Sequence, residues 1–431
     1  MTFFRTLSTA ISRSLVLLVA ATLPGLSADT ASAQGDAGST SPEPTFLEAL
    51  AGGETHLSLR YRFETVDDDG FDDTAEASTL RTALSYTTAA WRGWSLFLEA
   101  ENVAAVFDDD GYNNAGAGSL NNGVRGVPVI ADPEVTEVNQ AFVRWRGGDA
   151  ETWGTATVQV GRQEINLGDQ RFVGAVAWRQ NHQSFDAVRV QLHLARVDID
   201  YTYADAVLRI VGDHRQMSSH FFMAPIELHA GHRLTPYGVW IDFDAVTSLS
   251  TSTFGAEYKG KFAMTDAVGL QVELEAAQQR DAGDNPVEID TDYIMASVGA
   301  GFKTDRATYG VDVAWERLGG LGDGQRAFQT PFATLHKWNG WADKFLATPG
   351  PGLDTLYLRL KGSFGPRWRA MLVYHDFSSD ERDFDFGSEI DGELVYTAPW
   401  RQTFALKFAV YDADDFSTDT EKLMLWTRYA F

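Results

Sequence analysis

Apolar residues fall on every second position through most of this chain, and that period limits the structures open to it. Leu57, Leu59, Tyr61 and Phe63 share one face of the segment THLSLRYRFE. The same holds for Trp94, Leu96, Leu98 and Ala100 in WSLFLEAE, and for Ala307, Tyr309, Val311, Val313 and Trp315 in RATYGVDVAWE. Phe404, Leu406, Phe408 and Val410 repeat it in RQTFALKFAVY. A period of two belongs to a β-strand with unlike faces, and helical periodicity is scarce. Marked in this way the chain holds about eighteen strands of roughly ten residues, a length that crosses a bilayer when tilted.

Alternation alone would suit a soluble sandwich equally well; the connections separate the two. Long gaps fall near 65–76, 104–134, 163–183, 206–218, 279–289, 318–352 and 376–387. Between them lie short ones: AAWRG, GGDAE, LAR, AGHR, AMTD, KTD, GP and APW. Long loops on one side and short turns on the other define an outer-membrane barrel. The connection at 245–249 is an exception, short where a long loop is due. The fold expected is all-β, a transmembrane antiparallel barrel of the outer-membrane type. An even strand count places both termini and all short turns on the periplasmic side.

Residues 1–33 read as a signal peptide. Arg5 and Arg13 precede an apolar run from Leu15 to about Leu26, and Ala31-Ser32-Ala33 supplies an A-x-A cleavage site. The run is too short to span a bilayer and Pro24 breaks it. A flexible leader is expected over 34–50 and a single barrel domain over 51–431. The chain has no cysteine, so no disulfide or thiol chemistry enters. Its net charge of −25 opposes nucleic-acid binding, while 12% aromatic residues oppose a disordered acidic chain. Much of the acid lies in the long gaps, as in Asp67 to Asp73, Asp108 to Asp110 and Asp376 to Glu389. Soluble loops are one reading; carboxylates bridging Ca²⁺ or Mg²⁺ to lipopolysaccharide phosphates are the other. DDDGFDDTAE lacks the spacing of an EF-hand loop, and no cofactor or metal site is expected.

If the apolar set faces lipid, the alternate set lines the lumen. The basic candidates are Arg60, Arg62, Arg81, Arg144, Arg146 and Arg189, then Arg359, Lys361, Arg369, Lys407 and Arg428. Because the last strand pairs with the first, they form one arc around the closure seam. Middle strands offer Asp198, Asp200, Asp242, Asp244, Glu273, Glu275, Asp312 and Glu316. Opposed arcs would set a transverse field that orients and selects solutes, unless the charges only pair across strands.

Two long connections carry most of the remaining chemistry. Gly161 to Asp186 holds Asp169, Arg171, Trp178 and Arg179; Phe328 to Tyr357 holds Lys337, Trp338, Asn339, Trp341 and Asp343. Indole rings with guanidinium and amide groups suit carbohydrate, while His336 and Asp343 suit loop hydrogen bonds. The runs GRQE, GDQRFVG and HKWNGWADKF resemble the alginate export family of outer-membrane proteins, over most of the mature chain. The resemblance implies an eighteen-stranded monomeric barrel conducting an anionic polysaccharide along an arginine-rich path. It carries that role to Arg144, Arg146, Arg162 and Arg189. The acidic half-wall departs from a mainly basic conduit.

The expected function is passive passage of saccharides or small charged solutes, with export of alginate or a similar polysaccharide as the case the resemblance implies. A barrel plugged by the 318–352 loop is the alternative. A hydrolase built from His182, Ser184, Asp186 and His193 lacks a strained G-x-S-x-G turn, so no enzyme is expected. Expected partners are membrane lipid, lipopolysaccharide, a saccharide and the barrel-assembly machinery. The last is implied by the terminal strand KLMLWTRYAF, where Tyr429 and Phe431 close an alternating apolar run.

Overall fold

In the computed structural model the strands are β1 (Glu54–Asp68), β2 (Ala75–Thr87), β3 (Trp94–Ala105), β4 (Val135–Asp149), β5 (Gly154–Gln163), β6 (Ser184–Leu194) and β7 (Val197–Leu208). There follow β8 (His214–Met223), β9 (Ile226–His229), β10 (His232–Ile241), β11 (Thr251–Ala263), β12 (Val268–Asp281) and β13 (Asp290–Lys303). The last are β14 (Ala307–Leu318), β15 (Leu353–Phe364), β16 (Trp368–Ser378), β17 (Asp385–Thr397), β18 (Thr403–Ala413) and β19 (Thr420–Ala430). A short helix, α1 (Phe46–Ala51), precedes them. The structure describes residues 44–107, 110–152, 154–322 and 324–431. The expected signal peptide, most of the leader and Asp108 lie outside them.

Each strand pairs antiparallel with its neighbours, and β1 closes on β19 from Ser58 opposite Ala430 to Asp68 opposite Thr420. β8 and β9 are one wall strand broken at Ala224-Pro225, for both pair with β10. Proline has no N–H for the ladder. The gap is spanned by bonds from the Asp198 N–H to the Pro225 carbonyl and from the Ala224 N–H to the Pro236 carbonyl. The barrel therefore has eighteen wall strands, with no edge left to recruit another chain.

The outer face carries the apolar alternation. Leu96, Leu98, Leu274, Val313, Leu358, Leu360, Leu406 and Leu425 are all exposed on it, a surface stable in lipid rather than water. Short turns join the strands at one end and long loops at the other. The expected exception disappears. β10 ends at Ile241, and 242–250 is a loop like its neighbours. The flexible leader expected over 34–50 is helical from Phe46. A capping box supplies the reason: Thr45 accepts from the Glu48 N–H while the Glu48 carboxylate accepts from the Thr45 N–H.

Candidate functional site

Two long loops fold into the barrel and meet there, while a third, 106–134, brings Asp132 to the inner wall. Of the first two, one joins β5 to β6 (164–183) and the other joins β14 to β15 (319–352). They join each other through the Gly174 N–H to the Phe332 carbonyl and the Thr334 N–H to the Gln170 carbonyl. They are seated by aromatic residues. Phe332 packs edge-on against Phe185 and Phe221 of the wall and against Phe243 just beyond β10. Phe172 contacts Tyr237 and Tyr293, and Phe345 contacts Phe377. The inner wall is accordingly apolar towards the loop end, where Met217, Val239 and Ile241 are also buried.

Charged groups then pin the loops to the wall. Arg171 donates to Glu316 at 2.6 Å, and Tyr293 donates to the same carboxylate at 2.7 Å. Burial alone would lower the Arg171 pKa, but Glu316 and Tyr293 outweigh it and raise the value. Arg62 pairs with Glu64 and with Asp132 of the 106–134 loop, and donates to the Trp178 carbonyl at 2.7 Å. Arg60 donates to Gln180 at 2.8 Å. Lys337 donates to the Asp169 carbonyl at 2.6 Å.

Asp343 is the junction of these contacts. Its carboxylate accepts from Arg179 at 2.9 Å, Lys422 at 2.8 Å and His336 at 2.8 Å. It therefore ties one inward loop to the other and both to the last strand. Its backbone is left-handed, φ 61°, a conformation a non-glycine residue keeps only where the surroundings impose it. Burial would raise its pKa; Lys422, His336 and Arg179 hold it well below the usual carboxylate value.

His336 also meets Lys407 at 2.7 Å. An ammonium only donates, so Nε2 accepts and Nδ1 carries the proton given to Asp343. Burial and Lys407 outweigh Asp343 and press the imidazole down to about 3, which keeps it neutral. The ring stacks on Trp178 at 4.3 Å. Lys407 lies 4.1 Å from the Trp178 ring centre and 3.6 Å from that of Trp341, a cation held between two indole faces. Trp338 and Trp341 are only 7% and 5% exposed, so these indoles serve the loop lock and present no open saccharide platform. Asn339 is likewise buried and donates to the Phe345 carbonyl at 2.9 Å.

Towards the turn end the lumen wall is polar. Arg144, Gln159 and Arg189 stand opposite one another on β4, β5 and β6; Arg146, Thr157, Gln191 and Asp200 form the next row. Arg189 pairs with Asp200, donating from Nε at 2.9 Å, and Gln191 donates to Asp200 at 2.9 Å. Among the described residues neither Arg144 nor Arg146 has an ion-pair partner. The Arg144 guanidinium rests 4.9 Å above Phe142, which stacks on Phe97 at 5.0 Å. Arg369 and Arg428 continue the inward basic face across the seam, Arg428 donating to Ser58 at 3.2 Å. Other charges on this face are spent in pairs. Arg81 donates to Glu101 at 2.9 Å, and Arg359 and Lys361 meet Asp312 at 3.3 and 3.1 Å. Lys259 meets Glu273 at 2.9 Å, Asp169 at 3.4 Å and Glu257. Asp198 pairs with His193, and Glu275 is buried.

Three expected lumen residues point elsewhere. Arg162 stands opposite Asp186 on the face shared by Val160 and Val188, so it is outside the lumen, donating to Asp186 at 2.8 and 3.0 Å. Asp242 and Asp244 lie beyond β10, on the side opposite buried Phe243. The departure of Asp242 and Asp244 has a physical cause: the inward loops make part of the inner wall apolar, so Ile241 and Phe243 face inward where alternation assigns them to lipid, whereas Arg162 follows the alternation of β5 and only the resemblance placed it in the lumen. Asp132, Glu64 and the Phe97–Phe142 stack were missed. Glu64 follows Arg62 by two residues on the same face, a signal that was available; Asp132 has none, because a long loop brings it in. The imagined triad is not assembled. Ser184 is buried, Asp186 faces out, His182 meets Glu164 at 2.9 Å, and His193 lies at the far end of β6.

A closed eighteen-strand barrel with an apolar outer belt, a charged lumen and two loops folded inside is an outer-membrane barrel of the porin class. The alginate export family model matches residues 54–282, more than half of the chain, and the chain belongs to that family. Solved structures share the fold. OpdK of Pseudomonas aeruginosa, determined with vanillate, has a TM-score of 0.64 at 16% identity, covering 89% of this chain and 99% of its own. OpdO of Pseudomonas aeruginosa gives 0.65 at 14% identity, covering 89% and 98%. OccAB3 of Acinetobacter baumannii gives 0.64 at 12%, covering 88% and 100%. No curated protein matches the chain in sequence.

Proposed function

We propose that the barrel is a passive channel for anionic solutes and saccharides, with export of an anionic polysaccharide such as alginate as the specific case its family supports. The observation that carries this is the pair Arg144 and Arg146, inward-facing, without a carboxylate partner among the described residues and beside Arg189, Gln159 and Gln191. Guanidinium groups left free in a lumen meet carboxylates in a planar fork, and neighbouring amides meet hydroxyls. Substrate passes down its own gradient, and no residue has to perform chemistry.

The test is ion selectivity in planar bilayers. In a dilute salt gradient the channel prefers anions, and Arg144→Ala with Arg146→Ala shifts the reversal potential towards cations. An oligouronate blocks the native channel more strongly than a neutral oligosaccharide of equal length. Cation preference in the native protein, unchanged by the double substitution, would overturn the proposal.

Residues 1–33 act in this reading as the export signal, and the barrel works as a monomer embedded in lipid and lipopolysaccharide. The last strand supports a role in assembly. Phe431 is 62% exposed, its N–H donates to the Leu57 carbonyl at 2.9 Å, and its ring lies 4.4 Å from Tyr429. Deleting Phe431 is expected to lower the fraction of barrel assembled in cells.

A further inference from the structure

α1 carries an apolar face that the lumen does not use. Three hydrogen bonds hold the helix to the barrel. Tyr86 Oη donates to the Leu50 carbonyl, the Ala89 N–H donates to the Ala49 carbonyl, and the Gly53 N–H donates to Tyr86 Oη. Tyr86 shares the outward face of β2 with exposed Leu84, so α1 is docked outside the barrel at the turn end. Ala49 is buried beneath the helix, while Phe46 is 51% exposed and Leu47 74%. Phe46 stands edge-on to Trp91 at 5.4 Å. Trp94 continues this surface up β3 into Leu96 and Leu98.

We infer that α1 is an interfacial anchor, with Phe46 and Leu47 inserted into lipid of the periplasmic leaflet. Continuity fixes the occupant: the helix face runs without a break into the outer belt that lipid already covers. Elsewhere on this rim Phe364, Trp368, Trp400 and Phe404 stand exposed beside the short turns, as an aromatic girdle requires. At the ends of β1 and β2 the outward Tyr86 is partly covered, and α1 supplies the missing apolar groups. Arg92 lies with its guanidinium 5.3 Å from the Trp91 ring centre, where a lipid phosphate would meet it. A short amphipathic helix with this arrangement lies in the plane of the interface.

The absence of cysteine allows a clean test. Leu47→Cys in the whole barrel, reconstituted in phospholipid vesicles, is labelled with a nitroxide. Leu96→Cys serves as the lipid-facing reference and Gly365→Cys as the turn exposed to water. Collisions with oxygen are expected to dominate over collisions with a water-soluble nickel chelate at position 47, as at 96. Phe46→Cys repeats the measurement from the neighbouring position. Nickel-dominated relaxation at 46 and 47, matching 365, overturns the inference. That outcome is also the one expected if a soluble partner covers this face in the cell.

Discussion

At the scale of single residues, Asp343 decides whether the two inward loops act as one body. Asp343→Asn keeps the shape and removes the charge shared by Arg179, Lys422 and His336. Lys422 then loses its one ion-pair partner among the described residues, while Arg179 keeps Glu64 at 3.3 Å; a broken buried pair costs about 3–5 kcal/mol. The expected result is faster hydrogen exchange in 335–346 and a noisier single-channel current, with the barrel still folded. The same junction responds to acid. His336 is held at about 3, against roughly 6.5 in an unfolded chain. Between those values the unfolded loop takes up a proton that the folded one refuses, so the lock is strongest above pH 6.5 and weakens as pH falls towards 3. Asp343 acts in the same direction lower down, since its depressed pKa gives stability that is lost on protonation. Facing the imidazole are Asp343 and Trp341 of its own loop, Arg179 and Trp178 of the other, and Lys407 of the wall. His336→Gln, which can donate to Asp343 and accept from Lys407, is expected to flatten the upper part of the pH dependence of current noise. An unchanged profile would count against the assignment.

At the scale of elements, the 319–352 loop is the part whose removal should be felt most. Deleting Leu335 to Leu346 removes Asp343, His336, Trp338 and Trp341 together, while the strands keep every ladder bond. Single-channel conductance is expected to rise and its fluctuations to fall; an unchanged conductance would show that the loop does not set the constriction. What the sequence disclosed follows the same division. Strands such as β15 and β18 were legible because Leu356, Leu358 and Leu360, or Phe404, Leu406 and Phe408, meet lipid, which rewards strict alternation. β10 was not, because its Ile241 and its neighbour Phe243 are apolar for an interior reason, packing on a loop distant in sequence. The long loops announced themselves by composition, but not that Trp178, Trp338 and Trp341 would spend their faces on Lys407, Lys337 and Arg171. Such pairing depends on which loop enters the barrel, and local periodicity carries no trace of it.

At the scale of the whole molecule, charge is distributed unevenly along the channel axis. The loop end carries Asp67 to Asp69, Asp72 and Asp73 in one connection and Asp412, Asp414, Asp415 and Asp419 around another. The turn end carries inward Arg144, Arg146, Arg369 and Arg428. Anions gather at the basic end and cations at the acidic end. A voltage that drives both towards the middle fills the lumen with carriers, and the opposite voltage empties it. With equal dilute salt on both sides, current should therefore be larger when the periplasmic side is negative, since anions then move outward from the arginines. Screening sets the range of this effect. The Debye length is about 10 Å at 0.1 M salt and about 3 Å at 1 M, so the asymmetry should be clear at the first and nearly absent at the second. Arg144→Ala with Arg146→Ala should reduce it without altering the conductance in 1 M salt. Equal currents in both directions at 0.1 M would mean that the acidic loops and the arginine wall do not act on the same ion path.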